Sequence, residues 1–210
     1  MIRVPVGVIQ TNAYIYYDAD TLEGIVIDPG ADALRIWGKV QAAGVAVKAI
    51  VLTHGHCDHI GAVHGLGGQT NAPVYAASAE RGILHDAALN MSQALTRHAV
   101  TVTGFVPLAE NDVVQAGAAA LRVIETPGHT AGSICLYDEA AGVLFSGDTL
   151  FRESVGRTDF PTGDAAALTA SIQKKLYALP EDVAVYPGHG PETDIGHEKR
   201  RNPYVPMVAK

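Results

Sequence analysis

The sequence predicts an α/β fold in which helices cover β-sheets. Short apolar, β-branched segments of strand length recur along the whole chain, each bounded by Gly, Pro, Asp or Thr. Helical patterns lie between some of these segments, and the sequence contains no linker, charge block or low-complexity stretch that would divide the 210 residues. Because strands and helices are mixed along the full length, we expect residues 1–210 to form one α/β domain.

The pattern assigns the elements in chain order. Strands are predicted at residues 2–9, 13–17, 24–27, 47–52, 74–76, 121–124, 134–137, 143–145 and 183–186. Helices are predicted at 33–43, where Leu34, Trp37 and Val40 share one side, and less regularly at 77–94. Asp164 is placed as the N-cap or first-turn acid of a third helix that runs towards residue 179.

Composition excludes several classes of protein. A hydrophobic share of 48% with 18% charged residues excludes a disordered chain. The net charge of −7 argues against nucleic acid as a partner, and no apolar run approaches the roughly 20 residues that span a membrane. Two Cys cannot build a disulfide framework, and the first residues lack the features of a signal peptide, so we expect a cytoplasmic location.

The strongest local signal is the segment Thr53-His54-Gly55-His56-Cys57-Asp58-His59, which holds four potential metal ligands within six residues. With nine His in the chain, composition alone would produce the spacing H-x-H-x-D-H roughly once in a thousand such sequences. The segment directly follows the predicted strand 47–52. It is therefore interpreted as a metal-binding loop at the end of a buried strand.

Three further loops place a ligand-type residue directly after a predicted strand. They contain His129 in Pro-Gly-His, Asp148 in Ser-Gly-Asp and His189 in Pro-Gly-His. In each loop a glycine precedes the ligand, which allows the backbone to turn sharply. Loops at the ends of strands share one edge of a layered sheet system, the usual place for an α/β site, so the four loops are expected to meet.

Five His and two Asp suit Zn²⁺, Fe or Mn, and the thiolate ligands of a structural zinc site are absent because the two Cys lie far apart in the sequence. Without a cation, imidazoles and carboxylates at this density would leave buried polar groups without partners. Seven ligands exceed the need of one tetrahedral ion. Two metals that share one carboxylate would use all seven.

These residues resemble the metallo-β-lactamase fold superfamily, whose signature T-H-x-H-x-D-H is matched in full by residues 53–59. The segment Val26-Ile27-Asp28-Pro29-Gly30 is similar to the early strand and turn of that superfamily. The resemblance implies a four-layer αββα sandwich with the metal site at one edge of the two sheets. It also assigns the ligands, with Asp148 as a bridge between a first metal at His54, His56 and His129 and a second metal at Asp58, His59 and His189.

Within the superfamily, the sequence is most similar to glyoxalase II-like hydrolases of the hydroxyacylglutathione hydrolase group. The segments Asp148-Thr149-Leu150-Phe151 and 156–161, Gly-Arg-Thr-Asp-Phe-Pro, are typical of its short bacterial members. The resemblance implies hydrolysis of a thioester, with a glutathione thioester as one candidate, by a hydroxide that bridges two divalent ions, with Zn²⁺ as first choice. Asp58 would act as a catalytic residue that orients the hydroxide.

Two departures from the group concern the substrate. Only 21 residues follow His189, so the separate C-terminal helical region that grips glutathione in the longer enzymes is not expected. Arg157 and Asp159 stand where those enzymes have a Lys and a Tyr that contact glutathione. Arg157 is therefore a candidate for substrate binding, with an ion pair to Asp159 as the structural alternative.

Other functions stay open at this point. Persulfide dioxygenases share the segment Gly156-Arg-Thr-Asp-Phe160 and hold one iron through the residues that match His54, His129 and Asp148. Further alternatives are another hydrolase of the fold, such as a lactonase or phosphodiesterase, and a metal-binding protein without catalytic activity. Asp148 stands where lactamases have Cys or Ser, and His59 where the usual lactamase branch has Arg, so antibiotic hydrolysis is disfavoured.

Overall fold

Two six-stranded sheets pack face to face in the computed structural model, and helices cover their outer faces. The structure describes residues 1–96 and 98–207. The predicted αββα sandwich is confirmed.

The first sheet comes from the N-terminal half of the chain, and its strands follow one another in sequence order. Its strands are β1 (Ile2–Val6), β2 (Thr11–Tyr17), β3 (Glu23–Ile27), β4 (Ala46–Leu52), β5 (Val74–Ala77) and β6 (Val106–Leu108). The strand β1 pairs antiparallel with β2 and β2 with β3, whereas β3, β4, β5 and β6 run parallel to one another.

The second sheet and a separate two-stranded hairpin come from the C-terminal half of the chain. The strands are β7 (Val113–Ala116), β8 (Ala119–Glu125), β9 (Ile134–Asp138), β10 (Val143–Gly147), the hairpin strands β11 (Leu150–Phe151) and β12 (Ser154–Val155), β13 (Ala184–Pro187) and β14 (Thr193–Asp194). The order in the sheet is β14-β13-β10-β9-β8-β7, and in it β10 and β13 are parallel whereas the other neighbours are antiparallel.

The helices are short, and none within the described residues is long and apolar enough to cross a membrane. The side chain of Asp164 accepts hydrogen bonds from the amides of Ala166 and Ala167, so the predicted N-cap is confirmed. The helices are α1 (Ala33–Ala42), α2 (Cys57–Ile60), α3 (Val63–Thr70), α4 (Arg81–His85), α5 (Ser92–Leu95), α6 (Ala165–Lys174) and α7 (Ile195–Arg201).

Successive side chains of the central strands point to opposite faces of the sheet, so each strand contributes to two layers of the core. In β4, Ala49 and Val51 belong to the core between the two sheets, whereas Ile50 and Leu52 belong to the core under α1 and α3. Because both faces of the strand are covered over these four residues, the sequence from Ala49 to Leu52 is continuously apolar rather than alternating. The outer face of the second sheet packs against α6 through residues such as Leu168.

The predicted helical region at 77–94 is wrong as a continuous element. A 3-10 turn (Ser78–Glu80) continues directly into α4, and a non-helical segment, residues 86–91, separates α4 from α5. In that segment the side chain of Asp86 accepts hydrogen bonds from the amides of Ala88 and Leu89, and Met91 has a φ of 67°. A local carboxylate that bonds to backbone amides competes with helix formation, which explains the break.

Candidate metal centre

The four predicted loops meet at one edge of the sandwich. Residues 53–59 follow β4 of the first sheet, and His129, Asp148 and His189 follow β8, β10 and β13 of the second sheet. Backbone bonds connect the loops: the amide of Ile134 donates to the carbonyl of Thr53 at 2.9 Å, and that of Gly188 to the carbonyl of Gly147 at 2.8 Å. The common direction of these strands places all seven predicted ligands together.

The first group comprises His54, His56 and His129, all buried, with one nitrogen of each ring within 4.8 Å of the others. The Nδ1 atom of His56 lies 2.9 Å from Nε2 of His129. The other ring nitrogen of His129 lies 2.7 Å from the carbonyl oxygen of Arg157, to which it donates. This bond leaves Nε2 of His129 as an electron-pair donor that faces into the group.

The second group comprises Asp58, His59 and His189. The Oδ2 atom of Asp58 lies 3.3 Å from Nε2 of His59 and 3.2 Å from Nε2 of His189. The hydroxyl of Thr11 also donates to this oxygen, at 2.9 Å. Asp58, the predicted catalytic residue, is thus held in place from the first sheet while it faces both histidines.

Asp148 lies between the two groups. Its Oδ1 atom is 3.4 Å from Nε2 of His59, and its Oδ2 atom is 3.4 Å from Nε2 of His189 and 3.7 Å from Nε2 of His129. One carboxylate therefore reaches histidines of both groups. This is the arrangement that a bridging ligand requires.

The donor atoms fit a metal site because several of them have no other partner. Nε2 of His54, His56 and His59 and Oδ1 of Asp148 are buried and have no hydrogen-bond partner among the described residues. Unpaired buried polar atoms are rare in native proteins and cost free energy unless a cation or water satisfies them. Imidazole and carboxylate donors in these numbers suit borderline divalent ions such as Zn²⁺, Fe²⁺ and Mn²⁺.

Burial and the neighbouring charges lower the pKa values of the histidines in the first group and raise those of the histidines in the second group. Burial lowers the pKa of His54, and burial with the adjacent His129 lowers that of His56 to about 4. Burial disfavours a positive charge on His189, but the hydrogen bonds of His189 to Asp148 and Asp58 outweigh this effect and raise the pKa of His189 to about 9. The first group is thus neutral at pH 7, whereas His189 is protonated until a cation displaces the proton.

The carboxylate of Asp28, to which the sequence pattern assigned no role, supports the second group. Its Oδ2 atom accepts from Nδ1 of His59 at 3.0 Å and from the hydroxyl of Thr53 at 2.6 Å, and its Oδ1 atom accepts from the amide of Thr53 at 2.7 Å. A carboxylate behind a ligand histidine fixes the ring orientation and makes the ring a better donor. The segment Asp28-Pro29-Gly30 after a strand was the available signal, but only the fold shows which ring it contacts.

Gly188, which precedes His189, is required for a reason other than the predicted sharp turn of the backbone. A Cβ atom on Gly188 would lie 2.2 Å from Oδ1 of Asp148 and 2.7 Å from Cε1 of His59. The other two glycines, Gly128 and Gly147, have φ values of 143° and 48°, which side chains rarely adopt. Close approach, rather than backbone freedom, therefore requires glycine at position 188.

A cavity of about 450 Å³ opens over the ligands. Its floor includes His56, Asp58, His129, Asp148 and His189, and its walls are mostly apolar, from Ile9, Met91, Leu95, Phe151, Val155 and Phe160. Ligands at the base of an apolar cavity are the usual arrangement of a catalytic site. A small substrate can reach the ligands through this opening.

Arg157 lines the cavity and also forms the ion pair that was the structural alternative. Its Nε and Nη2 atoms donate to the two carboxylate oxygens of Asp159 at 2.7 and 2.6 Å, and its guanidinium carbon lies 3.9 Å from the centre of the Phe160 ring. The pair is largely exposed, and such pairs contribute little to stability. Its position on the cavity wall keeps a substrate contact as a prediction.

Comparison with known protein families identifies the class. The family model of the metallo-beta-lactamase superfamily matches residues 6–189. The chain belongs to this superfamily and is a metallo-hydrolase of its fold.

Two related proteins and three solved structures illustrate the range within it. The chain is 40% identical to the probable metallo-hydrolase YqgX of Bacillus subtilis, over 97% of this chain and 96% of the relative. It is 32% identical to the hydroxyacylglutathione hydrolase GloC of Haemophilus influenzae, over 96% of each.

Among solved structures, BLEG-1, described as a B3 metallo-beta-lactamase, has a TM-score of 0.91 and 42% identity, with 97% of this chain and 98% of the other covered. TTHA1623 in a di-iron-bound form has a TM-score of 0.86 and 35% identity, covering 97% and 100%. ETHE1 from Myxococcus xanthus has a TM-score of 0.77 and 30% identity, covering 98% and 84%. The fold is thus shared with proteins that carry different functional names, and one of these was solved with two irons bound.

Proposed function

We propose that this protein hydrolyses a thioester at a dinuclear metal centre, as hydroxyacylglutathione hydrolases do. The observation that carries the proposal is the position of Asp148, whose carboxylate lies within 3.7 Å of histidines from both ligand groups. A hydroxyacylglutathione hydrolase among the relatives supports the thioester, and the di-iron form of TTHA1623 supports two metals.

The seven ligands would bind two metal ions. His54, His56 and His129 would hold one ion and Asp58, His59 and His189 the other, with Asp148 between them. When bound, the two ions supply a hydroxide near neutral pH and stabilise negative charge on a substrate oxygen. Asp58 keeps its orientation through the hydroxyl of Thr11 and can accept a hydrogen bond from the attacking water.

The leaving group needs no strong acid from the chain, because a thiolate leaves readily at neutral pH. The cavity walls position the substrate. Apolar contacts from Phe151 and Phe160 hold it over the ligands, and Arg157 lies where it can meet an anionic part of the thiol carrier. A glutathione-derived thioester and other small thioesters both match this chemistry.

The second candidate is oxidation of a persulfide at a single iron. It is favoured by the shared segment at 156–160 and by the positions of His54, His129 and Asp148, a set of two histidines and one carboxylate that suits non-haem iron. In this case the second group, with His189, would have no metal to hold.

Metal analysis and three assays on one purified protein separate these functions. We expect about two divalent ions per chain and cleavage of lactoylglutathione, with neither oxygen uptake in the presence of glutathione persulfide nor rapid hydrolysis of a β-lactam. One iron per chain with persulfide-dependent oxygen uptake and no thioester cleavage would overturn the proposal. Fast β-lactam hydrolysis without thioester cleavage would overturn it as well, in favour of the activity named for BLEG-1.

A further inference from the structure

A buried carboxylate, Glu80, connects the two sheets directly behind the metal centre, although it is not a candidate ligand. It lies at the end of the 3-10 turn after β5 and is 0% exposed. Its Oε2 atom accepts from the amide of Gly55 at 2.7 Å. Its Oε1 atom accepts from the hydroxyl of Thr130 and the amide of Gly132, both at 2.8 Å.

These partners belong to the two loops that carry the first ligand group. Gly55 lies between His54 and His56 in the loop after β4, and Thr130 follows His129 in the loop after β8. The Glu80 carboxylate therefore joins a loop of the first sheet to a loop of the second sheet, and these are the loops that bring Nδ1 of His56 to 2.9 Å from Nε2 of His129.

The glycines on both sides show that the approach is close. A Cβ atom on Gly132 would lie 2.7 Å from the amide nitrogen of Glu80 and 2.8 Å from its Oε1 atom. A Cβ atom on Gly55 would lie 3.0 Å from Oε2. Both backbone amides that donate to the carboxylate thus belong to residues without a side chain, which lets the loops converge on it.

We propose that Glu80 is a positioning residue of the metal centre, which sets the separation of His56 and His129 by holding their loops on one carboxylate. It touches neither metal nor substrate. Its removal should weaken metal binding by the group of His54, His56 and His129 while the group of Asp58, His59 and His189 keeps its affinity. The inference rests on the proposed function only in that the first group binds a divalent ion.

Glu80→Gln tests this at nearly constant volume. Glutamine has one oxygen and one NH₂ group, so whichever way it is placed, the NH₂ group faces a backbone amide, that of Gly55 or that of Gly132. Two donors that face each other in a buried position push the loops apart.

The control is Glu198→Gln. Glu198 is also 0% exposed and accepts three hydrogen bonds, from the hydroxyl of Thr193, the amide of Glu153 and the side chain of Asn202. Its partners lie on the hairpin β11–β12, on β14 and at the end of α7, and none of them belongs to the loops after β4 and β8 that carry the first ligand group. It matches Glu80 in burial and bonding but not in place.

The measurement is titration of the metal-free protein with Co²⁺, followed by its visible absorption, in a His189→Ala background that isolates the first group. We expect Glu80→Gln to weaken Co²⁺ binding by about 10–100-fold, the usual effect of residues that orient ligands, and to alter the absorption spectrum. Glu198→Gln in the same background should bind Co²⁺ as the background does.

Equal affinity in the Glu80→Gln protein and its background would overturn the proposal, and so would an equal loss in Glu198→Gln. If Glu80→Gln does not fold, Thr130→Val decides, since it removes one of the three donors and should give a smaller loss at the same group; no loss would overturn the proposal. Failure of the thioester assay on the unaltered protein would not affect these affinities, so the two proposals fail separately.

Discussion

The ring of His59 and the carboxylate of Asp28 form a buried pair, with Nδ1 of His59 3.0 Å from Oδ2 of Asp28. The pair fixes Nδ1 as the protonated nitrogen and directs Nε2 towards Asp58 and Asp148, 3.3 and 3.4 Å away. Burial opposes a positive charge on His59, but these three carboxylates outweigh it and raise its pKa. The metal-free protein therefore carries a proton at the place where a cation would bind.

Asp28→Asn should weaken metal binding by the second group about 10–100-fold, because asparagine has one oxygen and can no longer accept from both the ring of His59 and the backbone amide of Thr53. Asparagine tolerates the left-handed backbone at this position, where φ is 47°, so strain is not the cause of the loss. Metal content after dialysis against a weak chelator measures the effect. Retention of both metals at the level of the unaltered protein would contradict the role given to Asp28.

His189→Ala should abolish most of the thioesterase activity, by more than about 100-fold, because it removes a ligand of the second metal. The matched control is His197→Ala, which removes a histidine bonded to the exposed Glu153 at 2.9 Å outside the cavity. Initial rates and metal content of both variants are the measurement. Near-normal activity in His189→Ala would instead favour the single-iron alternative.

Metal binding should release about two protons per chain from the ligands at pH 7, one each from His59 and His189, whose pKa values are raised in the metal-free protein, and a further proton from the water that becomes the hydroxide. Affinity at the second group should therefore rise with pH through the pKa of His189 at about 9, whereas the first group, whose three histidines all have lowered pKa values, should depend little on pH at pH 7 and above. Calorimetry in buffers of different ionisation enthalpy counts the protons. His189→Ala should release about one fewer, and an unchanged count would contradict the assignment.

The ligands were predictable because each follows a strand whose apolar run is visible in the sequence. Residues 49–52, Ala-Ile-Val-Leu, are continuously apolar since both faces of this part of β4 are buried, and the metal-binding loop directly after them can be recognised from the local sequence alone. The same holds for His129, Asp148 and His189, because strand direction alone places their loops at one edge.

The supporting residues were not predictable for the opposite reason. Asp28 is 31 positions from His59, and Glu80 is 50 positions from Thr130, so their contacts exist only once the sheets have formed. A lone buried carboxylate has no sequence pattern of its own. The break in the predicted helix at 77–94 begins with the local contacts of Asp86 and is reinforced from outside the region, since the side chain of Asn90 donates to the carbonyl of Val100 at 2.6 Å.

Arg157→Met should separate a substrate contact from an ion pair. The backbone carbonyl that accepts from His129 is kept, so the metal centre should stay intact. If the guanidinium binds an anionic part of the substrate equally in ground and transition states, KM should rise about tenfold with little change in kcat. Asp159→Asn, which frees the guanidinium, should leave KM unchanged or lower it. A tenfold rise in both variants would assign the pair a structural role only.

Gly188→Ala should disturb the centre without altering any ligand. The added methyl group would lie 2.2 Å from Oδ1 of Asp148 and 2.7 Å from Cε1 of His59, both closer than real contacts allow. Asp148 or His59 must move, and we expect loss of at least one metal and most of the activity. Gly67→Ala is the control, because its Cβ atom in α3 meets nothing within 4 Å and alanine favours a helix. Normal metal content in Gly188→Ala would show that the ligands can shift freely, which a bridging Asp148 does not permit.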